Sequence, residues 1–274
     1  EKLSALIWEG EIEALTLTQN AQPALMATSL AALRALEAEG VKITDAKLVA
    51  GHSLGEYSAL AAAGALSVAD TARLLRIRGK AMQEAVPVGV GAMAALLGLD
   101  FATAQTVAAE AAQGDVCQAA NDNDPSQVVV SGHKEAVERA VELAKAAGAK
   151  RAMLLPVSAP FHCALMAPAA DVMAEALASV EISAPAVPLV ANVSAEALSD
   201  PIMIRALLVE QVTGSVRWRE SVLYMGETHG ISEIWEIGAG KALSGMVRRI
   251  NKDIACRNIG TPEDIAGALE ALNG

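Results

Sequence analysis

The chain has 274 residues, and its 53 % hydrophobic content provides a large core and excludes a disordered segment. A net charge of −11 argues against nucleic acid as a main partner. No run approaches the roughly 18 apolar residues that span a bilayer, so no membrane partner is expected. Cys117, Cys163 and Cys256 are far apart and odd in number, without a metal spacing or a disulfide framework. A reducing cytosol is the simple reading. The mixed, charged opening EKLSALIWEGE is no signal peptide, and the cytoplasm is the expected location.

In chain order, residues 20–40 read as a helix with Asn20 as N-cap and Gly40 as stop. AKLVAG (46–51) is a short apolar run that reads as a buried strand. HSLGEYSALAAAGAL follows directly, helical in composition and period. Residues 67–86 read as a helix capped by Ser67. The stretch 89–157 has its own rhythm. GAMAALLGL, DVCQAAN, QVVVSG and AKRAMLLPV read as strands, with FATAQTVAAEAAQG and HKEAVERAVELAKAAG as helices. That order, β-α-β-β-α-β, predicts a small inserted ferredoxin-like domain. Next come a helix at APAADVMAEALASV and a core strand at PAVPLVANVS (185–194). A mainly helical stretch broken near Gly214 follows, then the strand ISEIWEI and the helix ALSGMVRRI. The chain ends on CRNIG as a strand and PEDIAGALEAL as a helix. Strands alternating with helices predict an α/β fold with a mostly parallel sheet.

Gly51-His52-Ser53-Leu54-Gly55 fits G-x-S-x-G. Serine at a tight strand-to-helix turn exposes its hydroxyl, and glycines on either side let the chain pass without Cβ clashes. The helix N-terminus lies beneath an oxyanion, to which the Leu54 N–H can donate. The bare motif also arises by chance as a structural turn. The flanking strand and helix favour a catalytic Ser53. A serine nucleophile needs a base. His52 is adjacent and points away from the serine, so a backbone or substrate contact suits it. His133 opens a helix as a cap or surface group, and His229 lies in a solvent loop. His162 lies in S-A-P-F-H-C, in the connection leaving the small domain, where a cleft would form. Spacing alone does not separate it from the other three together. Gly238-Ala239-Gly240-Lys241 lacks the full phosphate-loop spacing and reads as a tight turn.

V-A-G-H-S-L-G-E-Y-S-A-L (49–60) resembles the nucleophile segment of malonyl-CoA:acyl carrier protein transacylases. R-I-R-G-K-A-M-Q (76–83), N-D-N-D-P-S-Q-V-V-V-S-G (121–132), P-F-H-C-A-L-M (160–166), L-L-V-E-Q-V-T-G-S-V-R-W (207–218) and E-I-G-A-G-K-A-L-S-G-M-V-R-R-I (236–250) extend the resemblance along nearly the whole chain. The first motif is shared with many hydrolases; the ordered set is specific. The resemblance implies an α/β-hydrolase-like large domain (1–88 and 158–274) with the small ferredoxin-like domain inserted (89–157). It implies Ser53 as nucleophile, His162 as base and Gln211 as the main-chain carbonyl that receives the histidine N–H. Arg78 would clamp the malonyl carboxylate; read without the resemblance, it is an exposed helix arginine. Phe161 would narrow the pocket against methylmalonyl. Asn121 and Gln127 would line the cleft or serve turn and edge-strand roles. Cys163 reads as a buried structural thiol.

Family members usually begin with a strand and a G-Q-G-S-Q turn whose glutamine N–H is a second oxyanion donor. This sequence starts at Glu1, past that point, and truncation of the sequence is the expectation. The implied function is malonyl transfer from malonyl-CoA to an acyl carrier protein by a monomer, with no cofactor beyond the coenzyme A thioester substrate. Arg217, Arg219, Lys241, Arg248, Arg249 and Lys252 form a basic group that would dock the acidic carrier; ordinary solvated charge is the alternative. Two rivals stand beside this reading. One is a serine thioesterase or esterase of α/β-hydrolase type, ending on water. The other is a non-catalytic carrier-docking domain.

Overall fold

The computed structural model describes residues 2–157 and 159–273; Glu1, Ser158 and Gly274, at the ends of the expected segments, fall outside. The chain opens with helices α1 (Leu3–Glu9) and α2 (Ile12–Thr16), which the sequence reading did not propose. Helix α3 (Thr18–Ala38) begins before Asn20. Asn20 is therefore not its N-cap. It sits inside the first turns, where its side chain donates to the Ala14 carbonyl at 2.7 Å and ties α3 to α2. Gly40 does stop the helix. Its φ of +98° lets its N–H reach the Glu37 carbonyl while the Val41 N–H reaches Leu36, and Val41 packs on Leu36.

Strand β1 (Val49–Ala50) leads into α4 (Leu54–Ala62), and α5 (Val68–Glu84) begins at its Ser67 cap, whose side chain accepts from the Asp70 N–H. Then follow β2 (Gly91–Leu97), α6 (Phe101–Ala112), β3 (Cys117–Asp124), β4 (Gln127–His133), α7 (Lys134–Ala146) and β5 (Arg151–Leu154). Their sheet runs β3-β4-β2-β5, antiparallel throughout. Strand alternation splits its faces. Ala94, Leu96, Val128 and Val130 join α6 and α7 in one core, and Met93 and Val129 face Leu155 and Phe161 on the other side.

The chain continues through α8 (Ala167–Ala178), β6 (Leu189–Val190), β7 (Ala197–Leu198), α9 (Pro201–Glu210), α10 (Trp218–His229), β8 (Glu233–Ile237), α11 (Ala242–Ile250), β9 (Ala255–Ile259) and α12 (Pro262–Asn273). The strand expected over 185–194 shortens to two residues, parallel to β1 and antiparallel to β7, a strand the sequence reading did not propose. Strands β8 and β9 pair in parallel. A mostly parallel sheet is thus not what the described residues form. Between strands, parallel pairing is confined to two short pairs, and the four-stranded sheet is antiparallel. The largest core packs α3, α4, α5, α8 and α9 around Met26, Tyr57, Leu60, Leu75, Met173 and Leu208. No helix among the described residues is long and apolar enough to cross a membrane.

Candidate active site

Ser53 stands between β1 and α4 with φ +53° and ψ −109°, outside the regions a side chain ordinarily adopts. The turn closes because position 51 has no side chain. A Cβ on Gly51 would lie 2.0 Å from the carbonyl carbon and oxygen of Gly55. Gly55 itself is not needed for space, since a Cβ there meets nothing within 4 Å. As the first helical residue, Leu54 has an N–H without an intrahelical acceptor. Asn192, one residue past Ala191 in the loop after β6, holds the elbow from below. Its Oδ1 accepts from the Ser53 N–H at 2.7 Å and its Nδ2 donates to the Gly51 carbonyl at 2.7 Å.

The fold selects His162 among the four histidines. Its Nε2 is 2.8 Å from Ser53 Oγ, and its Nδ1 is 2.9 Å from the Gln211 carbonyl oxygen. A carbonyl can only accept, so Nδ1 carries the proton, Nε2 offers its lone pair and the serine hydroxyl donates. His162 also has a positive φ of 58°. Burial, and then the Arg78 charge, lower its pKa to about 3, so the ring is neutral. His52 turns away from the serine, as expected. Its Nε2 is 2.9 Å from Asn123 Oδ1 on β3 and its ring lies 5.9 Å from that of Trp218. His133 stands at the N-cap position of α7, but its ring accepts from the Val116 N–H instead of bonding to the helix, and His229 closes α10 against Tyr224 instead of lying in a loop.

Arg78 is not an exposed helix arginine. It is 1 % exposed, and its helix face turns inward. Nη1 donates to Gln22 Oε1 at 2.7 Å. Nη2 donates to Ser53 Oγ at 3.0 Å and to Gln211 Oε1 at 2.8 Å. Phe161 packs between the large core and the second face of the four-stranded sheet, next to His162. Asn121 is buried in β3, bridged in parallel to Val216, whereas Gln127 opens β4 opposite Asp124 and Leu97. Cys163 is buried, with its thiol donating to the Pro160 carbonyl at 3.2 Å. Gly238 and Gly240 both have positive φ, the tight turn expected of that glycine pair.

Three members of the basic group are engaged in ion pairs, and Arg249 stays exposed beside its pair. Arg217 pairs with Glu220, Arg219 with the fully buried Asp122 at 2.8 Å, and Arg249 with the fully buried Asp124 at 2.8 Å. Lys241, Arg248 and Lys252 remain exposed. The sequence reading missed Glu56, Asn192, Gln22 and Asn123. Glu56 alone carried a signal, as an acid on the same helical face as Leu60.

A model of the acyl transferase domain matches residues 2–236. The malonyl CoA-acyl carrier protein transacylase of Escherichia coli (strain K12) is 48 % identical over 268 residues, covering 98 % of this chain and 86 % of its own. That of Bacillus subtilis (strain 168) is 46 % identical over 272 residues, covering 99 % and 84 %. Among solved structures, the acyl-carrier-protein-S-malonyltransferase of Bartonella henselae superimposes with a TM-score of 0.96 at 56 % identity, over 100 % of this chain and 87 % of that one. A malonyl-transacylase in complex with a type II PKS acyl-carrier protein gives 0.95 at 44 % identity, over 98 % and 86 %. Over nearly its whole length, then, the chain belongs to the acyl transferase family, and within it to the malonyl CoA-acyl carrier protein transacylases.

Proposed function

We propose that this chain transfers a malonyl group from malonyl-CoA to the phosphopantetheine thiol of an acyl carrier protein in fatty acid synthesis, through a malonyl ester on Ser53. The observation that carries it is a buried guanidinium 3.0 Å from a serine hydroxyl that is itself 2.8 Å from a neutral histidine. A general esterase has no use for a buried cation beside its nucleophile. An acyl group ending in a carboxylate does.

Ser53 gives its proton to His162 Nε2 as Oγ attacks the thioester carbonyl carbon. The Leu54 N–H donates to the oxyanion, and the main-chain oxygen of Gln211 steadies the imidazolium. The carbon–sulfur bond breaks, and coenzyme A leaves as a thiol with the proton from His162. The carrier thiol then gives its proton to His162 and attacks the ester, and Ser53 Oγ leaves and regains a proton. Each step uses only the chain's own groups, the thioester and the carrier thiol, and asks for no further cofactor. Arg78 holds the malonyl carboxylate through both halves. Phe161 narrows the acyl pocket, and His52 and Asn121 line the cleft on the β3 side.

The architecture fits an α/β-hydrolase-like domain (1–88 and 158–274) carrying a ferredoxin-like domain (89–157). The separate core of the four-stranded sheet and its strand order support that division. We read the protein as a cytoplasmic monomer, in keeping with three free cysteines among the described residues.

Intact-mass analysis after brief exposure to malonyl-CoA or acetyl-CoA tests the reading. Wild type should gain one malonyl group, removed by the phosphopantetheine-loaded carrier, and Ser53→Ala should gain none. Arg78→Ala should lose malonylation by 10- to 100-fold, the scale of one or two charge-assisted hydrogen bonds, and lose much less acetylation. An adduct that decays equally fast in buffer would make the protein a thioesterase. No adduct would favour a docking module.

A further inference from the structure

Glu56 lies on the first turn of α4, three residues after the nucleophile, and is 1 % exposed. The His162 ring bonds to Ser53 and Gln211, not to Glu56. Glu56 Oε2 accepts from Gln211 Nε2 at 2.8 Å and from the Asn192 N–H at 3.1 Å. These two residues are the ones that hold the site. Gln211 receives the His162 N–H on its main-chain oxygen, receives Arg78 on Oε1, and donates Nε2 to the Ser53 carbonyl at 3.0 Å. Asn192 fixes the main chain on both sides of His52.

The partners also force the orientation of the Gln211 amide. Arg78 can only donate and an ionised Glu56 can only accept, so Oε1 faces the guanidinium and Nε2 faces the carboxylate. A flipped amide would set N–H against N–H and oxygen against oxygen. Without an acceptor at Oε2, the Asn192 N–H would be buried without a partner and Gln211 Nε2 would keep only the Ser53 carbonyl and a long contact to Asn192 Oδ1, so one of the restraints on the amide's orientation would be lost. Burial alone would leave this carboxyl protonated. The hydrogen bonds from Gln211 and Asn192 and the charge of Arg78 oppose it, and the pKa settles at about 7.

We propose that Glu56 is a positioning residue for the transfer: one carboxylate oxygen anchors Gln211 and Asn192 together, and so aligns the base, the arginine and the elbow serine. The inference rests on the transferase reading for its readout, and the experiment separates the two. If the wild type is not acylated by malonyl-CoA, the transferase reading fails. If it is, Glu56 variants are compared with it.

The measurement is single-turnover acylation of Ser53 by malonyl-CoA, followed by intact mass, reporting the rate constant and the fraction finally acylated. Partial misfolding lowers the fraction. Misalignment lowers the rate constant at full fraction. Glu56→Gln keeps an oxygen at the same reach and should slow acylation no more than about tenfold. Glu56→Asp keeps the charge but shortens the reach by one methylene, and should slow it about 100-fold, the scale of 1 Å misplacement. Both should reach full acylation. Glu56→Asp at the wild-type rate would overturn the proposal, as would Glu56→Gln slower than Glu56→Asp. A Glu56→Gln chain that no longer folds would make the carboxylate a structural element only and overturn it too.

Discussion

His162 and Glu56 titrate in opposite senses because burial penalises the charged form of each. His162 takes its proton near 6.5 in the unfolded chain and only near 3 in the fold. Its contribution to stability is complete above about 6.5 and is lost as pH falls through about 3. Glu56 shifts the other way, from 4.5 to about 7. Its contribution is complete below 4.5 and is lost as pH rises through about 7. The two slopes oppose each other between about 4.5 and 6.5. Urea unfolding across pH 3 to 8 resolves them. Relative to wild type, Glu56→Gln should gain stability as pH rises from 4.5 to 7, and His162→Asn should lose it as pH rises from 3 to 6.5. Two variants that tilt the same way would show that these groups do not carry the shifts.

At the scale of the element, the strand–elbow–helix from β1 to α4 depends on one close approach, and its two glycines are not equivalent. Gly51→Ala puts a methyl 2.0 Å from the Gly55 main chain, which must spread the turn. It should cost about 1–3 kcal/mol or more and abolish acylation of Ser53. Gly55→Ala meets open space on a helical first turn and should raise the urea midpoint by the propensity gain of about 0.5–1 kcal/mol. Equal midpoints for the two variants would refute the asymmetry. The G-x-S-x-G pattern displayed the elbow because its requirement is local. The β-α-β-β-α-β run was legible for the same reason, each element carrying its own period and stop. What stayed hidden depends on distant pairing. Strand β7 exists only because β6 lies beside it. Asn20 reads as a cap until Ala14 folds back on it, and Arg78 reads as exposed until Gln22 from α3 meets it. Gln211 acts through its main chain as well as its side chain, and main-chain acceptors leave no trace in residue type.

At the scale of the whole molecule, a chain of net charge −11 would have to admit a carrier that is acidic, as the resemblance implies, against its own field. The fold narrows where that can happen. Arg219 and Arg249 are consumed by buried Asp122 and Asp124, which pin β3 and its hairpin turn to α10 and α11. Reversing either would strand a buried carboxylate, and lost activity would say nothing about docking. Lys241, Arg248 and Lys252 lie exposed at the ends of α11, and they are the residues on which carrier docking can be tested. Replacing Arg248 and Lys252 together by Glu should slow removal of malonyl from Ser53 by the carrier about tenfold at low salt. The deficit should shrink as salt screens charges beyond a Debye length of about 8–10 Å. Acylation from malonyl-CoA should stay within about twofold of wild type, because that half-reaction does not require the carrier. Equal slowing of both halves would assign the patch to the phosphates of coenzyme A, and an unchanged carrier half-reaction would place docking elsewhere on the molecule.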